Sequence, residues 1–86
     1  MPRLSEKQSN VVYRNAHFLD LPYKKERWLL ERAHLTDMEP HDCSDLIGSI
    51  WEYIKNKDDQ SKAAQAHHNI IEQLVDKYFS EPSPTS

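Results

Sequence analysis

The sequence predicts an all-α domain, a small bundle of three to four helices with short connections, on three observations. Apolar residues recur at helical spacing in four successive segments. No segment sustains the alternation of a strand. Only one glycine, Gly48, is available for tight turns, and it falls inside a periodic segment.

Ser5 followed by Gln8 is a capping-box pattern, and Val12, Ala16 and Leu19 continue it at helical spacing, so the first helix is expected from Ser5 to about Leu19. Ser9, Asn10 and Asn15 lower its intrinsic propensity, which makes it dependent on its neighbours. A three-helix core with this segment as a loosely packed arm is the alternative architecture. Asp20-Leu21-Pro22 reads as a break and a fresh start, because proline tolerates a first helical turn and pushes the residue before it out of the α region. The second helix is expected from Pro22 to Leu35. Leu29 and Ala33 centre its apolar arc, with Tyr23 and Leu30 on one side and Trp28 and Leu35 on the other, an arc wide enough for contacts on two sides.

Residues 36–40 form the clearest linker, with Pro40 interrupting the pattern. Asp42 is the expected N-cap of the third helix, with Asp45 at N3, and the helix runs to about Asn56 with Cys43, Leu46, Ile47, Ile50, Tyr53 and Ile54 on one face and Trp51 at its edge. A polar junction at residues 57–60 precedes the last helix, expected from Ser61 to about Phe79 with Ala64, His67, Ile71, Leu74, Val75 and Tyr78 inward. Residues 1–79 thus read as one helical domain, and residues 80–86, with two prolines and no apolar anchor, as a disordered tail.

The 86 residues carry a net charge of −3, too acidic for a protein that works by blanketing phosphates. Residues 1–36 hold seven bases against four acids and residues 37–86 four bases against ten acids, so the two parts stand at +3 and −6. The single cysteine, Cys43, excludes an internal disulfide, and no run of 18 apolar residues suggests a membrane span. With no apolar run of the secretory kind near Met1, an intracellular, cytoplasmic protein is the expectation.

The densest polar constellation is His34-x-x-Asp37-x-Glu39-x-His41-Asp42-Cys43, which holds enough ligand types for zinc or another divalent ion. Its spacing matches no standard metal motif, and periodicity sends Cys43 into the core, so a set of capping acids beside a buried thiol is preferred and no metal or other cofactor is assigned. His67 and His68, adjacent on a helix, point about 100° apart and do not grip one ion. There is no nucleophile elbow, oxyanion loop or phosphate-cradling glycine motif, so catalysis is not expected.

Two surfaces suit a partner. On the second helix Trp28 stands among Lys24, Lys25 and Arg32, with Leu35 on nearly the same azimuth: either a rigid aromatic anchor with charges to steer an acidic protein, or a ring packed against the first or the fourth helix with the lysines left in water. Around the third helix, Asp42 and Asp45 belong to an acidic field able to mimic a phosphate backbone. The function expected is a non-catalytic regulator, inhibitor or adaptor binding another protein, with a homodimer as a further possibility. The alternatives are a nucleic-acid-associated regulator working from the basic patch and a small metal-binding module.

Overall fold

Ser5 opens the first helix as its pattern predicts. Its hydroxyl accepts from the Gln8 backbone N–H at 3.1 Å while the Gln8 carboxamide oxygen accepts from the Ser5 N–H at 2.9 Å, satisfying two donors that a helix start leaves orphaned. The computed structural model describes residues 2–59 and 62–79, and the predicted tail at 80–86 lies outside them, as does Ser61. Four helices follow in order: α1 (Glu6–Asn15), α2 (Tyr23–Glu31), α3 (Pro40–Asn56) and α4 (Lys62–Tyr78). There is no strand among the described residues.

Both early helices are shorter than their apolar patterns, for the same reason. After Asn15 and after Arg32 the chain tightens into 3-10 turns, Ala16–Phe18 and Ala33–Leu35, which keep the next apolar residue pointing inward while turning the backbone out of the helix. Asp20 then adopts φ 54, the one positive-φ residue among those described, and reverses the chain. Aspartate is one of the few L residues that visits this region readily. Pro22 caps α2 rather than beginning it.

The start of α3 corrects the sequence reading. The helix begins three residues early, at Pro40, whose missing N–H costs nothing in a first turn, and its N-cap is Glu39 with no side-chain cap bond. Asp42 is therefore inside the first turn, and its carboxylate turns to α4 instead of capping its own helix.

Consecutive helices run antiparallel. Asp42 meets Lys77 and Tyr78, and Tyr53 meets His68, so α3 and α4 form a hairpin. Tyr13 meets His34 at 5.8 Å between ring centroids, and His17 meets Glu26 at 2.7 Å, closing a second hairpin of α1 with α2. The hairpins stack so that α1 lies along α3, joined at one end by the Met38 N–H donating to the Pro2 carbonyl and at the other by Lys57 donating to the Phe18 carbonyl. The start of α2 meets the C-terminal end of α4, joined by Lys25–Asp76 and by Trp28 edge-on to Phe79.

Between the layers Val12, Leu19, Leu29, Met38, Leu46, Ile50, Ile71 and Val75 are fully buried. At roughly 1.5–3 kcal/mol for each large aliphatic side chain, this is the main term holding the bundle together. Because Leu4, Val12, Ala16 and Leu19 are all buried, α1 belongs to the core and is not a loose arm.

Candidate functional site

The seven residues that the sequence marked for partner binding do not form one surface. Trp28 takes the internal one of its two readings and is corrected as a partner-binding residue: it is 4% exposed and its ring packs edge-on against Phe79, just past the end of α4. Lys25 pairs with Asp76 across that same seam. Lys24, Arg32 and Leu35 stay exposed, Leu35 at 55%. Asp42 is also buried, and only Asp45 of the acidic pair faces solvent.

Of the ligand-type residues between His34 and Cys43, the fold separates most. Cys43 points into the core, where its thiol lies 3.6 Å from the Met38 carbonyl, and burial followed by the Asp42 charge pushes the thiol up from its ordinary range. His34 packs edge-on against Tyr13. Asp37 lies 3.6 Å from Arg3. Among the described residues, His41 and Asp42 are the members of that set that converge, and the third donor beside them is Asp45 on the same helix.

The corner is built by spacing. Positions 41 and 45 are one turn apart and share an edge of α3, with Asp42 beside them turned toward α4. His41 Nδ1 lies 3.3 Å from Asp45 Oδ2 and 3.6 Å from Asp42 Oδ1. One donor atom from each residue falls within 4.8 Å of the others. The second oxygen of Asp42 is fixed from α4, accepting from the Lys77 ammonium at 2.6 Å and the Tyr78 hydroxyl at 2.5 Å. Tyr78 in turn accepts the Glu39 backbone N–H at 3.3 Å. The Lys77 bond first, then the Tyr78 bond, hold the Asp42 carboxyl below its usual range, and the same ion pair raises Lys77. Asp42 is thus a locked anion with Oδ1 left toward His41, and the corner presents one imidazole nitrogen and two carboxylate oxygens on the N-terminal turn of a helix. That donor set suits a first-row divalent ion held in an open site.

A second polar cluster had no signal in the sequence, since its members come from three distant segments. Tyr53 donates its hydroxyl to Asp20, Lys57 stands 3.3 Å from the same carboxylate, and His68 Nε2 lies 2.9 Å from the Leu19 carbonyl with its Nδ1 2.9 Å from Glu72. Asp20, Tyr53, Lys57, Gln65, His68 and Glu72 border an open hollow of about 590 Å³. The Tyr53 bond, aided by Lys57, lowers Asp20, while burial, the Asp20 bond and the Asp20 charge push Tyr53 up to about 12. Each of these side chains already has a partner within the cluster, with the exception of Gln65, which bonds Asn69. The arrangement is a latch that pins the left-handed corner onto α3 and α4. Pro22 and the Asp-Leu-Pro break announced a corner; nothing local announced what holds it.

None of the described helices is long and apolar enough to cross a membrane. Comparison of the chain with family models, with curated proteins and with solved structures gave no match.

Proposed function

We propose that this chain is a small non-catalytic binding module whose α3 corner takes a divalent cation through His41, Asp42 and Asp45. The observation that carries the reading is the meeting of three donor atoms within 4.8 Å, one of them on a carboxylate immobilised from α4. Lys77 competes with the ion for Asp42, and two of the three ligands are exposed, so the site is weak: a Kd of roughly 10–100 µM for Zn²⁺ is expected. The test is calorimetric titration of ZnCl₂ and MnCl₂ into untagged protein stripped with chelator. One equivalent binding to the wild type, with affinity falling tenfold or more in His41→Ala and in Asp45→Asn, supports the site. Equal heats in wild type and variants, or none below about 1 mM, refute it.

A second reading, a regulator that binds another protein by way of the α2 edge, is supported by the exposure of Leu35 beside Arg32, which makes no ion pair among the described residues. Loss of partner capture in Arg32→Glu with Leu35→Ala, at unchanged helicity, tests it. Trp28 has no part in that surface.

A further inference from the structure

Gly48 is the one glycine of the chain, and it stands inside α3, where a residue without a side chain weakens a helix relative to alanine. Nothing in the described fold asks for it. A Cβ built there meets no atom within 4 Å, so no internal neighbour needs the space, and its φ is not positive. What a missing side chain on an exposed helix face permits is the close approach of another backbone.

The same face carries the cation corner. At 100° per residue, His41, Asp45, Gly48 and Glu52 fall within about 60° of one another, on one outward stripe of α3. All four are exposed, His41 with 81% of its side chain in water. Glu52 accepts from Asn56 through its backbone carbonyl, while its carboxylate has no hydrogen-bond or ion-pair partner among the described residues. The corner by itself is incomplete for a four-coordinate ion. His41, Asp42 and Asp45 supply one donor atom each, no fourth joins them among the described residues, and the Asp42 carboxylate is already engaged by Lys77 and Tyr78.

The bare glycine and the missing donor have one common solution, a second α3 packed antiparallel with a two-fold axis at Gly48. Four residues toward the C-terminus of one helix are then matched by four toward the N-terminus of the other, which sets Glu52 of the second copy level with Ser44, between His41 and Asp45. Such an axis keeps like edges together, so that glutamate lies on the edge that carries Asp45. At the separation of about 8 Å that small residues allow between packed helices, its side chain reaches the corner. Both corners are completed at once, with one ion to each chain. Without the ion the same pairing lines up Asp45 and Glu52 of both copies, four carboxylates along one seam, and their repulsion keeps the copies apart.

We propose that a divalent cation joins two copies of this chain through the outward face of α3, with Glu52 of each copy completing the site at His41 and Asp45 of the other across a contact between the two Gly48 residues. The proposal rests on the cation reading of that corner and names what fills its open position.

The experiment is light scattering on the untagged full chain after chelator stripping, in chelator and with one equivalent of ZnCl₂, at chain concentrations above the zinc Kd, beside calorimetric titration of ZnCl₂. The result expected is the mass of one chain in chelator and of two chains with zinc, at one zinc per chain. Glu52→Ala should still bind zinc at His41, Asp42 and Asp45 yet stay a monomer to at least tenfold higher chain concentration. Gly48→Leu should do the same, since the new side chain meets no internal atom and blocks the contact. Both positions are exposed, and circular dichroism checks the fold. His17→Ala, which removes an exposed imidazole on the other hairpin, should dimerise with zinc as the wild type does. Absence of zinc binding would overturn the cation reading and this proposal together. Zinc bound at the mass of one chain would overturn this proposal alone, as would a dimer that persists in chelator or a zinc-dependent dimer that either Glu52→Ala or Gly48→Leu leaves intact. Loss of the dimer in His17→Ala also overturns it, because the bridge would then be adventitious and elsewhere.

Discussion

Replacing Tyr53 by phenylalanine removes one oxygen from the latch that holds the α1–α2 corner and leaves the ring in place against His68. A hydrogen bond to a charged acceptor contributes about 1.5–3 kcal/mol, but the Asp20 side chain is 61% exposed and water replaces the lost donor, so the cost at neutral pH is set below that range, at about 1–1.5 kcal/mol. For a domain of this size that lowers the Tm by roughly 4–12 °C. The pH dependence distinguishes a charged partner from simple packing. The folded-state pKa of Asp20 is depressed, so the stability it gives is full above the ordinary carboxyl value of 3.8 and is lost as pH falls through its lower folded value. Without the Tyr53 hydroxyl, the largest cause of that depression is gone, and the gap between wild type and variant should be flat from about pH 7 to about pH 5 and narrow below about pH 4. At the alkaline end the folded phenol is pushed up to about 12, so its contribution is present below pH 10 and is lost as pH rises from there toward 12; the variant lacks this loss. Urea denaturation across the pH series, with phenolate absorbance read alongside, measures both limbs. A Tm change under about 1 °C, or a gap as large at about pH 2.5 as at neutral pH, would refute the argument.

Gly48→Ala should stabilise the chain by about 0.5–1 kcal/mol, since it improves propensity in the middle of α3 and the new methyl meets no atom within 4 Å; thermal melting checks it, and a loss of stability would mean the position is crowded. Ile71→Ala, at a fully buried position of α4, should cost about 2–5 kcal/mol by removing buried methyl groups and leaving a cavity, whereas Ile70→Ala, one residue along and 38% exposed, should cost well under half as much. Similar denaturation midpoints for the two variants would contradict the assignment of the inward face of α4.

Fold class and most of the core were legible because periodicity reports which residues must avoid water together, and it does so locally: Val12, Leu29, Leu46, Ile50, Ile71 and Val75 all stand where their spacing placed them. The capping box at Ser5 was equally local and equally legible. Trp28 stayed open between partner and core because a helical wheel gives an azimuth but not the identity of the neighbour; its side of α2 meets Phe79, 51 residues on. Asp42 was misassigned as a cap because the pull of Lys77 and Tyr78 comes from another helix.

The sequence by itself therefore determined an all-α bundle of three to four helices, a break at Asp20 to Pro22 and an excess of base in its first part. Tertiary structure alone decided which polar groups meet. It drew His41, Asp42 and Asp45 to one corner while Cys43 went inside, tied Asp20 to Tyr53 and Lys57, and laid α1 beside α3. The physical reason is range. Burial is written into each helix by its own periodicity, but a hydrogen bond or ion pair forms only within about 3–4 Å, between side chains whose separation the packing of distant segments sets.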